Sequence, residues 1–511
     1  MARAGTKIIA YDLGTGGNKA SLFDADGACL ASTFIPYDTL YPDMGWHEQR
    51  PNDWWNAIVA STLALLAKGT VAASDIACLA ISGQSLGVVP IDAEGALLRE
   101  ATPIWSDTRA SRQTAAFFSK VDRDRWYMTT GNGFPAECYS VFKIMWYRDN
   151  EPDMFSRLRK VLGSKDYINL RLTGRINTDF SYASGSGAYS LKDWRYSDEF
   201  IRASGLPAEI FPEIVPSTRI LGTLTKEAAK SLGLPESVAV ACGGVDNSCM
   251  ALGARNTADG RVYTSLGSSC WIAVSSRTPV LDPHDKPYVF THVVPELFTS
   301  AVSIFSGGNS FRWIRDSIFC ASEAKGRDPY EVMTEMAASS PVGANKLLFN
   351  PSLAGGGSQE ESPNIRGCFA GIDLRHTKAD LVRAGMEGIA MNLGAVLEVL
   401  RRYVPLADEM LMVGGGSKSA LWRQIFADVY GMRIVKTNID QEAASLGAAA
   451  VAAVGAGLWK GFDPVDGIHR VTSVETPIES NAAVYRKLIP AFEHLRTSQA
   501  ALGDLLRAID I

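Results

Sequence analysis

Two carboxylates stand where strand-like runs open into glycine turns. The first is Asp12, inside IIAYDLGTGGNKASLFDADG, which runs from Ile8 to Gly27. An apolar run ends on it, Gly14, Thr15, Gly16 and Gly17 follow, and a second apolar run leaves the turn. Consecutive backbone N–H groups in such a turn form a nest for an anion, and glycine lets the anion come close. A carboxylate beside a phosphate nest repels the phosphate unless a cation lies between them. Mg²⁺ suits that place, held by one or two carboxylates, waters and phosphate oxygens. Asp12 is therefore a candidate metal residue, and Gly14, Thr15 and Gly16 are candidate phosphate-binding residues. The plainer alternative is a hairpin in which Asp12 bonds its own backbone.

The second carboxylate is Asp246, in SVAVACGGVDNSCMALGA from Ser237 to Ala254. An apolar strand ends at Gly243-Gly244, and a small-residue helix begins after Val245-Asp246-Asn247. A carboxylate there is a candidate general base for an attacking hydroxyl; a helix cap is the structural alternative. In phosphoryl transfer the protein mainly positions groups and stabilises charge, with one carboxylate orienting the nucleophile. The dinucleotide-binding reading of GTGGNK fails, because it needs a helix after the glycines and a strand follows. The chain has no GxxxxGK[ST] run either.

The elements that would position these residues can be read from pattern. KIIAYDLG, KASLFDADG and GACLASTFIP predict three strands of an antiparallel meander. RPNDWWNAIVASTLALLAKG has helical spacing, with Asn52 or Asp53 as N-cap and Gly69 as stop. DIACLAISGQ predicts a buried strand ending at Gly83-Gln84. Near mid-chain, GRVYTSLGSSCWIAVSS (Gly260 to Ser276) repeats the order strand, glycine turn, strand, which a duplicated domain would leave. A third glycine turn, EMLMVGGGSKSALWRQIFADVYG, leads from a strand into a helix with apolar Leu421, Ile425, Phe426 and Val429. Two domains are expected, residues 1–250 and 251–511, one hairpin opening each.

Bulk properties are those of an ordinary globular protein. The chain has 511 residues, 46% hydrophobic and 21% charged, with a formal net charge of −5. That charge gives no reason to expect nucleic acid or an anionic membrane as partner. ASLGAAAVAAVGAGLW (Ala444 to Trp459) falls short of a membrane span and fits a closely packed internal helix. The N-terminus breaks too early for a signal peptide, so a cytoplasmic protein is expected. Cys29, Cys78, Cys138, Cys242, Cys249, Cys270, Cys320 and Cys368 form no CxxC pair and read as free buried thiols. None of the six histidines has metal-ligand spacing, and His47 reads as structural or a rim residue. Arg312 and Arg315 read as a solvated helix face.

Asp12-Leu13-Gly14-Thr15, Gly244-Val245-Asp246-Asn247, Leu266-Gly267-Ser268-Ser269 and Gly414-Gly415-Gly416 come in the order of the FGGY carbohydrate kinases, of the actin/hexokinase/Hsp70 superfamily. The chain resembles that family over roughly residues 7 to 455. GWHEQRPNDWW, PIWSDTRA, KDYINLRLTGRINTDFSYASGSGAYSL and GCFAGIDLRHTKADLVRAGMEGIA resemble xylulokinase-like members in particular. The resemblance implies an α/β fold of two actin-like (ribonuclease H-like) domains, each a mixed five-stranded sheet flanked by helices, around a central cleft. It implies ATP and Mg²⁺ as cofactors. Asp246 would be the catalytic base and, with Asp12, a residue for the metal. Gly14, Thr15, Gly16, Gly267, Ser268 and Ser269 would meet phosphate, and Gly415, Gly416 and Ser419 the adenosine.

Gln84, Ser85, Trp105, Asp107, Asp246 and Asn247 would line the sugar pocket. Typical xylulokinases have Met-His after the glutamine and glycerol kinases Arg-Glu; this chain has Ser85-Leu86. Trp105 with Asp107 would suit a polyol, whose CH face stacks and whose hydroxyls bond; core packing is the alternative for Trp105. The expected reaction is transfer of the γ-phosphoryl of MgATP to a small ketose, xylulose foremost. Glycerol, erythritol and ribulose are the alternatives within that chemistry, and a non-catalytic sugar or nucleotide sensor the one outside it. A homodimer is the family's expectation; no interface signature is visible.

Overall fold

The structure, a computed structural model, describes residues 5–69, 71–319, 321–357 and 359–509. Contacts divide the chain into two units. The first comprises Met1–Asp259, Ser275–Ser300 and Glu442–Ile468, and the second Gly260–Val274, Ala301–Gln441 and His469–Ile511.

The first unit is built on β1 (Lys7–Leu13), β2 (Gly17–Asp24), β3 (Cys29–Pro36), β4 (Ile76–Gly83), β5 (Ile220–Thr223), β6 (Ala239–Ala241) and the short β7 (Gly244–Val245). The sheet order is β5-β6-β4-β1-β2-β3, with β7 also pairing β4. The meander is antiparallel, while β1, β6 and β7 run parallel to β4. Five strands form the expected mixed sheet, and β5 and β7 extend it to seven. β1 is apolar almost throughout because both faces are covered. Ile9, Tyr11 and Leu13 join the core under the helix Pro51–Ala67, with Trp54, Ile58 and Leu65. Strand alternation puts Ile8, Ala10 and Asp12 on the other face.

The helix Ala443–Gly455, the expected small-residue segment, packs against β1, β4 and the helix Asp246–Gly253. Glycine makes that approach feasible. A Cβ at Gly253 would stand 1.8 Å from the Ala443 carbonyl oxygen, and one at Gly447 1.9 Å from that of Cys249. The two backbones are in direct contact, which fixes the helix that begins at Asp246.

The second unit carries β8 (Val262–Leu266), β9 (Cys270–Ser276), β10 (Phe298–Ile304), β11 (Glu409–Val413), β12 (Arg433–Thr437) and β13 (Val471–Glu475). Their order is β10-β9-β8-β11-β12-β13, in a sheet that a further strand brings to seven. β8 and β9 are an antiparallel hairpin, β8-β11-β12 are parallel, and β13 is antiparallel at the edge. The order β3-β2-β1-β4-β6-β5 of the first sheet repeats here, as the weak internal similarity predicts.

Two local readings need correction. The helix at residue 51 starts from Arg50, with Pro51 in its first turn, rather than from Asn52 or Asp53. Proline's fixed φ and missing N–H suit that first position. Cys78, Cys138, Cys242, Cys249 and Cys270 are free and buried, but Cys29 is exposed on β3 and Cys368 half-buried. Cys320 lies outside the described residues. Among the described residues, no helix is long and apolar enough to cross a membrane.

Candidate active site

Asp12 and Asp246 both lie at the carboxyl ends of parallel strands, where open α/β sheets bind ligands. Asp12 is in register with Ser82 of β4, and Gly244 of β7 is in register with the same serine from the other side. The Ser82 hydroxyl donates to Asp12 Oδ1 at 3.1 Å. Asp246 is the first residue of its helix and does not cap it; the cap position is Val245. Its Oδ1 accepts the Asn247 backbone N–H at 2.8 Å and the Asn247 side-chain amide at 3.0 Å. Gly243 takes φ +76° just before, and a Cβ there would stand 2.2 Å from the Ile81 carbonyl oxygen.

Burial raises the carboxyl of Asp12 above its ordinary range, against the opposing pull of Ser82 and Lys19. Asp246 is pushed up to about 7, by burial first and by the charge of Asp12 second, while the Asn247 bonds oppose the rise. A raised carboxyl near neutral pH suits a general base. Two carboxylates that strain each other also form a hard-oxygen donor set that fits a divalent cation. Among the described residues, no group of three or more His, Cys, Asp or Glu could hold a metal. A cation at Asp12 and Asp246 would thus complete its shell with oxygens from outside the protein, as Mg²⁺ does with waters and phosphates.

The raised carboxyl of Asp246 has a consequence for stability. It favours the folded state below the unfolded value near 4, and that contribution is lost as pH rises through about 7. Asp246→Asn keeps an oxygen for Asn247 and carries no charge. In the metal-free protein this variant melts about 2–4 °C above wild type at pH 8, and the gain vanishes near pH 4. Paired melting curves across pH check this.

The turn after Asp12 closes by a Gly14 N–H bond to the Gly17 carbonyl at 3.1 Å, and Tyr37 donates to the Gly14 carbonyl. Thr15 and Gly16 are exposed at its tip. Two acceptor-wall candidates converge on Thr15. The Trp105 indole N–H donates to its hydroxyl at 2.9 Å. The Gln84 amide donates to Gln49 Oε1 at 2.8 Å, and Gln49 in turn donates to the Thr15 carbonyl at 2.7 Å. Gln84 is buried, and its Oε1 is left without a donor. Ser85 is buried beside it.

Trp105 is 37% exposed, so core packing does not describe it. Asp107, by contrast, is fully buried and already engaged. It takes two nitrogens of Arg109 and the backbone N–H of His47. Arg109 also pairs with Glu48 at 2.7 Å and lies over the rings of Trp46 and Trp146, 3.9 and 5.0 Å from their centroids. His47 is half-buried beside this network, and its ring meets the Ser106 hydroxyl at 2.7 Å.

In the second unit, Gly267, Ser268 and Ser269 form the turn between β8 and β9, with Ser268 exposed. The Gly267 and Ser268 carbonyls accept from Gly308 and Asn309 at 2.9 and 3.0 Å. Arg312 reaches the Ser268 hydroxyl at 3.4 Å from an otherwise exposed helix face. Gly415 and Gly416 follow β11, and Gly414 at φ +92° rests on Leu266 of β8. The two turns thus leave adjacent parallel strands, as Asp12 and the Gln84 turn do in the first unit. A Cβ at Gly415 would meet nothing within 4 Å, which leaves that backbone approachable. The Ser419 hydroxyl caps the helix Ala420–Tyr430 by accepting from Trp422 N–H at 3.2 Å.

Sequence reasoning missed Ser82, Gln49 and Ser181. Gln49 lies in the quoted GWHEQ stretch, and Ser181 two residues after Asp179 in TDFS. The Ser181 hydroxyl accepts the Val245 N–H at 2.9 Å and donates to Asp179 Oδ2 at 2.5 Å. Asp179 pairs through its other oxygen with the buried Lys165 at 2.9 Å. This chain anchors the backbone one residue before Asp246. Ser181→Ala is expected to lower kcat about 10-fold with nucleotide KM unchanged; steady-state kinetics on both substrates checks it.

Known proteins resemble the chain over nearly its whole length. Residues 7–253 match the N-terminal domain, and residues 262–456 the C-terminal domain, of the FGGY family of carbohydrate kinases. The chain is 29% identical to a xylulose kinase of Bacillus subtilis, over 98% of this chain and 99% of the relative. It is 28% identical to a gluconokinase of the same organism, over 96% and 95%. Among solved structures, a xylulose kinase from Rhodospirillum rubrum superposes with a TM-score of 0.88 at 29% identity, covering 98% of this chain and 100% of the other. A gluconate kinase from Lactobacillus acidophilus gives 0.89 at 25% identity, covering 97% and 98%.

Proposed function

The chain belongs to the FGGY family of carbohydrate kinases, and we propose from that premise that it phosphorylates a small neutral ketose, xylulose foremost. It is a phosphotransferase acting on a sugar hydroxyl, with ATP as the phosphate donor. The proposal concerns the acceptor and the residues that serve it. Asp246 takes the proton of the attacking hydroxyl as that oxygen bonds to the γ-phosphorus and ADP leaves. Asn247 holds the carboxylate in place through Oδ1. Gln84 Oε1 accepts from a second hydroxyl, and the exposed face of Trp105 takes the sugar's CH face. Asp12 and Asp246 would hold Mg²⁺, which supplies neutralisation of the phosphate charge. Thr15 with its neighbouring N–H groups, and Ser268 and Ser269, would meet phosphate; Gly415 and Gly416 would admit the nucleotide.

One observation favours a neutral ketose over gluconate. A carboxylate acceptor calls for a cation, and Arg109, Lys143 and Lys165, which lie near the acceptor walls, are engaged, Lys165 by Asp166 and Asp179. Arg109 is paired with Asp107 and Glu48. Lys143 is buried against backbone carbonyls of Leu86 and Ile104. The test is ADP release with MgATP and xylulose, ribulose, glycerol, erythritol or gluconate. Fastest turnover on xylulose supports the proposal; turnover on gluconate alone overturns it.

A further inference from the structure

Lys143 sits in the helix Ser140–Asn150 and is fully buried. Its ammonium donates to the Ile104 carbonyl at 2.6 Å, the Leu86 carbonyl at 3.2 Å and the Trp105 carbonyl at 3.5 Å. A desolvated ammonium is costly, and an apolar side chain of similar volume is often the more stable occupant. A buried lysine bonded to main-chain dipoles calls for a reason beyond packing. Its three acceptors come from two turns: Leu86 from the one that carries Gln84 and Ser85, Ile104 and Trp105 from the one that carries Trp105.

We propose that Lys143 is a positioning residue for the acceptor subsite, tying the Gln84–Gly87 turn to the Ile104–Trp105 turn and so setting the distance between the two walls that face the sugar. The proposal rests on the acceptor reading above. Leu86 needs such a clamp, since it holds φ +61°, a left-handed conformation that a leucine adopts at a cost. Its carbonyl accepts from both Lys143 and the Ser140 hydroxyl, one turn apart on the same helix, at 3.2 Å each. Tyr182 and Tyr147 brace the neighbouring Gly87 and Val88 carbonyls at 2.5 and 3.1 Å. Burial, the largest influence, brings Lys143 down to about 8; Arg109 acts in the same direction, and Cys138 and Asp107 oppose it. The clamp therefore loosens within an accessible pH range.

The experiment is steady-state kinetics of Lys143→Met and Ser140→Ala against pH, with xylulose and MgATP. Lys143→Met is expected to raise the acceptor KM about 30-fold, with little change in kcat and none in nucleotide KM. Wild-type acceptor KM rises above pH 8, and that limb is absent from the variant. Ser140→Ala, which removes one bond and little volume, raises acceptor KM about 3-fold. A folded Lys143→Met protein with wild-type acceptor KM, or one that keeps the limb, overturns the proposal. If that variant does not fold, Ser140→Ala decides by the same criterion. Gln84→Ala and Trp105→Ala serve as controls. If neither raises acceptor KM, the acceptor reading itself fails; if both do and the clamp variants do not, only the role of Lys143 fails.

Discussion

Asp246→Asn lowers kcat by about 10³-fold while nucleotide affinity stays within about 2-fold of wild type. The substitution keeps the shape of the side chain and an Oδ1 for the two Asn247 donors. The helix seated by Gly253 and Gly447 has no reason to move. What disappears is the carboxylate proposed as proton acceptor, held at about 7 by burial and by Asp12. With Mg²⁺ saturating, the loss therefore falls on the chemical step; the Mg²⁺ concentration needed for half-maximal rate rises as well, since the same carboxylate would hold the metal. Single-turnover transfer at saturating Mg²⁺, read beside nucleotide titration, separates chemistry from binding. A variant that transfers phosphate at the wild-type rate removes Asp246 from the role of base.

Asp12→Asn is expected to lower kcat by about 10²-fold and to raise the Mg²⁺ concentration needed for half-maximal rate. An amide oxygen still accepts from Ser82, so β1 and β4 stay in register. The variant also removes the charge that helps to raise Asp246. In the metal-free protein, Asp246 then titrates at lower pH than in wild type, which carboxyl NMR reads directly. An unchanged metal requirement would take Asp12 out of the metal site, and an unmoved Asp246 titration would show that the two carboxylates do not sense each other.

Much of this arrangement was legible in the chain because its causes are local. Glycine turns after apolar runs mark Asp12, Asp246, Gly267 and Gly414 within a few residues of each, and the repeated hairpin announces the repeated sheet. The contacts that aim the groups are not local. Gln49 meets Thr15 across 34 positions and Ser181 meets Val245 across 64. Lys143 defies the usual exposure of lysine because it is solvated by carbonyls from two distant turns, which no pattern on its own helix reveals. Asp107 fails in the other direction. Its place beside Trp105 resembles a pocket wall, yet Arg109 two residues on takes its carboxylate.

The acceptor is the centre of the account, and one competition experiment addresses it directly. Equimolar xylulose and gluconate, far below saturation, are incubated with the enzyme and MgATP, and both phosphorylated products are quantified in the same tube. The product ratio is then the ratio of kcat/KM. With Arg109, Lys143 and Lys165 engaged as described, xylulose phosphate exceeds phosphogluconate by at least about 10²-fold, since gluconate's carboxylate finds no partner. A ratio in favour of phosphogluconate would contradict the neutral-ketose subsite built on Gln84 and Trp105.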